Sequence, residues 1–395
     1  MSQAPDGPAC SRPADRSWSG QAGHQLTPAG RLTSDQRDWL RVRSYLLQQR
    51  YELALEAAAE YPAGSKIVGT PLLTVPGWQP SAPVPIQDIS LELRAGPVAD
   101  FGGDGAALVL PARTDGTRYL RYSDAVRELA PPAIFENRST YRLIEAELTG
   151  TAPRLAFTSG RYFDGIDTGE AAAHEYAAKR MDGRPAGLRG RIGDPRDLRR
   201  RPVNLAISTL TLRLDRATGR ASFPLHWRDP AKVGHAGGMY QVIPVGVFQP
   251  SAEAAWNERG DFSLWRSMIR EFAEELRGRS EDYGSDEARL DYDSWPFARQ
   301  MTEALDRGQI SVWCLGLGVD PLTYATDLLT VAVVDSLVFD DLFSLSPRRN
   351  DEGEVLAVRE FAGHVIDRLL TREPVQAAGA AVLRLAWAHR ETLVG

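Results

Sequence analysis

Residues 270–278 read Arg-Glu-Phe-Ala-Glu-Glu-Leu-Arg-Gly and set three carboxylates close together. On an α-helix, Glu271, Glu274 and Glu275 stand at i, i+3 and i+4, so their side chains are neighbours. At about 100° per residue, Trp265, Met268, Ile269, Phe272 and Leu276 fall on a separate arc that must meet a core. Three like charges on one face call for compensation. Arg270 reaches Glu274 at i+4, and a hard divalent cation can bridge the rest. Mg²⁺ takes oxygen ligands and keeps several waters, so a few carboxylates suffice. The other reading is an acidic helix face turned to solvent. Spacing alone leaves both open.

The helix has boundary signals, Asp261 as N-cap and Gly278 as C′ stop. Upstream, "HAGGMYQVIPVGVFQPS" carries the Gly237-Gly238 pair, which lets backbone approach a ligand closely. Strands are expected in "YRLIEAEL" and "PRLAFTSGRYFD", which pair, and in "VNLAISTLTLRL", "RASFPLHWRD", "QISVWCLGLGVD" and "DLLTVAVVDS". Helices are expected at 34–61 with Ser34 as cap, at "IDTGEAAAHEYAAKRM", at 295–307, and in two C-terminal pieces broken near Pro374. Strands mixed with helices point to an α/β sandwich.

Other groups compete for a role. Glu170 and His174 are spaced to share a metal, but no second His stands near, and a polar helix face is the simpler reading. His226 and His235 flank "WRDPAKVG" beside the candidate site and could exchange protons near neutral pH; a structural or solvent-facing role is the alternative. The arginine-rich loop 189–201, with Arg199 and Arg200, can grip phosphate by bidentate contacts, whereas Asp194 and Asp197 make a solvated loop equally possible. "GLGVD" lacks the lysine and glycine spacing of a phosphate loop and reads as a strand end.

The order glycine pair, strand and loop, then REFAEEL resembles the Nudix family. Its box reads G-x5-E-x7-R-E-U-x-E-E-x-G-U, with U apolar, and Arg270, Glu271, Phe272, Glu274 and Glu275 match it. Phe262 stands at the upstream glutamate position with Asp261 beside it, Trp256 at the leading glycine, and Arg277 at the late glycine with Gly278 one step on. Glu253, Glu258 and Asp261 are the acids near the missing ligand position. The resemblance implies an α/β/α sandwich with a mixed sheet, and hydrolysis of a nucleoside diphosphate-linked or other diphosphate substrate with Mg²⁺ or Mn²⁺. It implies Glu271, Glu274 and Glu275 as metal ligands, Glu271 also as general base, Arg270 orienting the carboxylates, and Gly237, Gly238, Arg199 and Arg200 contacting the ligand. The layout also resembles actinobacterial proteins labelled transcriptional regulators. That likeness implies instead a catalytically degenerate module that senses a nucleotide.

The 395 residues allow two or three domains. The expected division is a disordered tail at 1–32, an N-terminal helix and extended region at 33–135, the Nudix-like domain at 136–345, and C-terminal helices at 346–395. A net charge of −6 makes nucleic acid an unlikely partner, and a helix-turn-helix spacing is not visible. Lysine occurs only at 66, 179 and 232, so an arginine-rich, GC-rich actinobacterial origin is expected. Cys10 and Cys314 exclude a cysteine metal site. Absence of a long apolar run predicts no membrane span and a cytoplasmic location. The expected partners are a phosphorylated small molecule or nucleotide and, through regulation, a protein partner or homodimer.

Overall fold

The apolar runs Ile310–Val319 and Thr326–Asp335 form an antiparallel pair within a seven-stranded sheet. The computed structural model describes residues 32–96, 109–132, 134–184, 187–228, 238–278, 288–343, 353–355 and 358–395. Thr326–Asp335 lies parallel to Leu205–Asp215, which makes the sheet mixed. The order is Val84–Pro85, Ile310–Val319, Thr326–Asp335, Leu205–Asp215, Arg220–Phe223, Arg359–Glu360; Val245–Val247 pairs the start of Leu205–Asp215 antiparallel.

Both faces of the sheet are covered, which is why its central strands are buried along nearly their whole length instead of alternating between core and solvent. Leu205, Ile207, Leu328, Ala332 and Val334 share one core with Met268, Ile269, Phe272 and Met301 from helices on that side. The intervening residues Leu210, Leu212, Val331 and Val333 share the other core with Ala381, Val382 and Leu385 of helix Ala377–Ala388. Helices therefore sandwich a mixed sheet, the expected α/β class. Hydroxyls buried between the parallel strands find partners, as burial demands. Thr209 and Thr330 bond at 2.8 Å, Ser208 Oγ donates to Asp327 at 2.8 Å, and Thr211 donates to the Ile243 carbonyl at 2.7 Å.

The expected helix at 34–61 is two helices, Ser34–Gln48 and Arg50–Ala59, because Gln49 leaves helical geometry (φ −112°, ψ 20°). Thr33, not Ser34, is the cap, in a reciprocal capping box with Gln36. Val42, Leu46, Leu53 and Ala57 pack with Ala173, Ala177 and Leu322. Gly169 permits this approach, since a Cβ there would lie 2.1 Å from the Thr323 carbonyl oxygen. The expected pair Ser139–Glu147 and Arg154–Arg161 forms antiparallel, with Ser90–Leu93 parallel on its other edge. Helices Gly363–Arg372 and Ala377–Ala388 flank Pro374 as expected.

Residues 1–31, the "FGGDG" stretch, the acidic loop after Gly278 and most of 347–354 lie outside the described residues. Among the described residues no helix is long and apolar enough to cross a membrane.

Candidate functional site

The REFAEEL segment is helical but changes pitch within the motif. An α-helix spans Leu264–Glu271, and a wider π turn follows at Phe272–Leu276. The N-cap is Ser263, whose Oγ accepts from the Arg266 N–H, and not Asp261 as expected. Gly278 ends the helix at φ +64°, with its N–H donating to the Glu274 carbonyl at 3.0 Å. Phe272 and Leu276 are buried, as their spacing requires. A π turn advances each residue by less than an α turn, which rotates the end of the acidic arc toward the protein. Glu271 and Glu274 are half-buried, and Glu275 is only 5% exposed.

Arg270 binds partners beyond its own helix. Buried at 3% exposure, it donates through Nη1 to the Tyr292 hydroxyl and through Nη2 to the Gln249 carbonyl at 2.5 Å. The Tyr292 hydroxyl donates on to Asp261 Oδ1 at 2.9 Å, and that oxygen lies 3.6 Å from Arg270. Asp261 Oδ2 accepts from the Ser251 N–H and Oγ at 2.8 and 2.6 Å. Burial opposes the guanidinium charge, but Tyr292 and Asp261 outweigh it and hold the Arg270 pKa above its ordinary value. Burial also pushes the Tyr292 phenol up. Cation and anion are therefore fixed as one buried unit tying the helix to the chain on both sides of it.

The glutamates meet the sheet edge. Glu275 Oε1 accepts from the Val245 N–H at 3.0 Å, and Oε2 lies 3.7 Å from Nδ1 of buried His226. Glu271 lies on Gly246 so closely that a Cβ added there would be 1.8 Å from its carboxyl carbon. The other acids near the missing ligand position are engaged. Glu253 accepts from Ser139 N and Oγ and from Arg161, and Glu258 accepts from Ser159. Among the described residues no group of three His, Cys, Asp or Glu side chains is placed to hold a metal ion.

Gly237 and His235 lie outside the described residues. Gly238, at φ +80°, turns the ribbon of His226–Arg228 with Tyr240–Gln241, its N–H donating to the Arg228 carbonyl at 2.8 Å. The register pairs His226, the neighbour of Glu275, with Gln241, three residues from Gly238. At about 3.3 Å per residue this separates the two by roughly 10 Å. The arginines of 189–201 are largely bonded to their own loop. Arg199 pairs with Asp197 at 3.1 Å, and Arg200 donates to the carbonyls of Ile192 and, at 2.7 Å, Arg191. Arg201 is buried against Thr326, and burial lowers its pKa to about 10.

Glu170 and His174 are neither metal ligands of one site nor a polar surface. Glu170 takes both Arg50 Nη groups at 2.8 Å and lies 3.7 Å from Arg43. Arg43 donates to the Tyr122 hydroxyl at 3.0 Å, which bonds His174 Nδ1 at 3.1 Å. All five residues are at most 5% exposed.

Two features were not singled out from the sequence. Gly246 carried a signal, because a glycine inside a strand marks close backbone approach. Tyr292 carried none, lying 22 residues beyond Arg270 across a loop.

No protein-family model matches this chain, and no curated protein matches it. Solved structures that match include the crystal structure of a NUDIX hydrolase from Alicyclobacillus acidocaldarius, at 16% identity and a TM-score of 0.27, covering 46% of this chain and 90% of that one.

Proposed function

We propose that this chain is a Nudix-like binding module for a phosphorylated small molecule or nucleotide, in which the glutamate helix braces the fold instead of carrying a metal. The observation behind this reading is the buried Arg270–Tyr292–Asp261–Ser251 chain, which commits the motif's arginine and the nearest upstream acid to structure. Breaking such a buried pair typically costs about 3–5 kcal/mol, so these residues are not free to reorganise around an ion. A regulatory role through a protein partner or a homodimer belongs to the same reading.

One observation favours the second reading, a metal-dependent diphosphohydrolase. Glu271 lies against the bare backbone of Gly246, and both Glu271 and Glu274 are only half-buried. Thermal melting with millimolar Mg²⁺ or Mn²⁺ separates the two. A metal bound at a hundredfold excess over Kd stabilises the fold by about 2.7 kcal/mol. The binding reading expects no shift in the wild type. A rise in Tm that the combined Glu274→Gln and Glu275→Gln variant loses would establish the metal site in its place.

A further inference from the structure

A cavity of about 240 Å³ lies away from the glutamate helix, lined by Tyr61, Tyr176, Tyr324, Lys179, Arg189 and Glu60 among others. We propose that it binds a small planar ring carrying a phosphate group. The proposal deepens the binding reading by giving its phosphorylated ligand a place, and rests on that reading for the ligand class alone.

Arg189 is the centre of the site. Its guanidinium lies between the rings of Tyr176 and Tyr324, 4.9 and 4.8 Å from their centroids. It donates to the carbonyls of Pro321 at 2.8 Å and Leu322 at 3.0 Å. Among the described residues no carboxylate lies within ion-pair distance of it, so its charge is oriented but not neutralised. Its backbone is fixed as well. Buried Glu175 accepts the N–H groups of Gly187, Leu188 and Arg189 at 2.7–2.9 Å. A guanidinium held this firmly loses little freedom when an anion arrives, and its planar fork suits phosphate. Lys179 adds a second cation at the rim, 3.6 Å from exposed Glu60.

The aromatic wall comes at a conformational cost. Tyr324 has φ +58°, an outlier for a bulky residue. It is held there by Asp320, whose carboxylate accepts from Leu322 N, Thr323 N and Thr323 Oγ1 and whose carbonyl accepts from Tyr324 N. Strain of this kind is retained where the surroundings impose it, commonly at ligand sites. Tyr61, with the sides of Tyr176 and Tyr324 turned from Arg189, offers aromatic surface for a ring; Arg189 offers a phosphate its charge partner, and Lys179 a second one that it shares with Glu60. The volume is below the 300–1,000 Å³ or so of pockets that enclose drug-sized ligands, so the ligand is small or protrudes.

The test is calorimetric titration of the full chain with adenosine 5′-monophosphate, adenosine, phenyl phosphate and inorganic phosphate, in the presence of EDTA. Both ring phosphates are expected to bind at least tenfold more tightly than adenosine or inorganic phosphate. Lys179→Met, at an exposed position, and Arg189→Lys, which keeps the charge but not the fork, are each expected to weaken that binding at least tenfold. The Glu274→Gln and Glu275→Gln variant is expected to bind as the wild type does. Absence of saturable binding at millimolar ligand, equal affinity for adenosine and its monophosphate, or indifference to both cavity variants would overturn the proposal. Loss of binding in the glutamate variant alone would move the site to the helix, leaving a phosphate-binding function but not this cavity.

Discussion

Acidification from pH 7 to pH 5 should destabilise this protein partly through His174, by an amount that can be worked out. Arg43 donates to the Tyr122 hydroxyl, and with neutral His174 that hydroxyl can give its proton to the Nδ1 lone pair. A proton on Nδ1 would remove that acceptor and add a charge, 1% exposed, beside the Arg43 guanidinium. Burial, with Arg43 adding to it, lowers the His174 pKa from 6.5 to about 3. Between those values the unfolded chain binds a proton that the folded chain refuses, so stability falls as pH falls through 6.5. From pH 7 to pH 5 the linkage sums to about 2 kcal/mol, or a Tm change of about 2 °C for a chain this long. Other groups titrate in the same window, so the difference between wild type and His174→Gln isolates the effect. Glutamine keeps an acceptor for Tyr122 and carries no titrating group. Thermal melts at pH 7 and pH 5 should show the variant losing about 2 °C less than the wild type. Equal losses would mean that His174 is protonated in the folded state and that the donor chain is misassigned.

Gly246→Ala should destabilise by about 1–3 kcal/mol, the usual cost of forcing atoms into packed space, because the new methyl meets the Glu271 carboxyl. Adding Glu271→Ala should restore part of that loss in denaturant melts, and a strictly additive double variant would refute the contact. Arg270→Met should cost about 3–5 kcal/mol by leaving Asp261 buried without its cation. A midpoint within experimental error of the wild type would remove the buried unit from the account.

Much of the fold was legible because it rests on local patterns. The apolar runs at 310–319 and 326–335 announced buried strands, "YRLIEAEL" and "PRLAFTSGRYFD" announced paired strands, and Gly278 announced a helix end. The parallel pairing of Leu205–Asp215 with Thr326–Asp335 joins segments over a hundred residues apart, and nothing in either strand names its partner. The break at Gln49 was hidden because glutamine is a good helix former. The site was less legible still. Spacing placed the three glutamates on one face only while the helix was taken as α throughout, and the π turn at Phe272–Leu276 altered that face. Arg270 had a local partner in Glu274 by the i+4 rule, and the i+4 rule says nothing of Tyr292 and Asp261, which hold it. Such tertiary contacts matter more than a local pair because burial makes an unmatched charge far more costly than a surface pair is favourable.

Recognition of a phosphorylated ligand without metal-dependent hydrolysis can be followed by ³¹P NMR. The wild-type chain is mixed with a nucleoside diphosphate-linked sugar in EDTA, and Mg²⁺ is then added in excess. The expected ³¹P resonances broaden saturably with protein and keep constant total diphosphate intensity for hours after Mg²⁺ is present. Monophosphate resonances that grow only with Mg²⁺, and vanish when Glu274 and Glu275 are replaced by glutamine, would contradict it and make this chain a hydrolase.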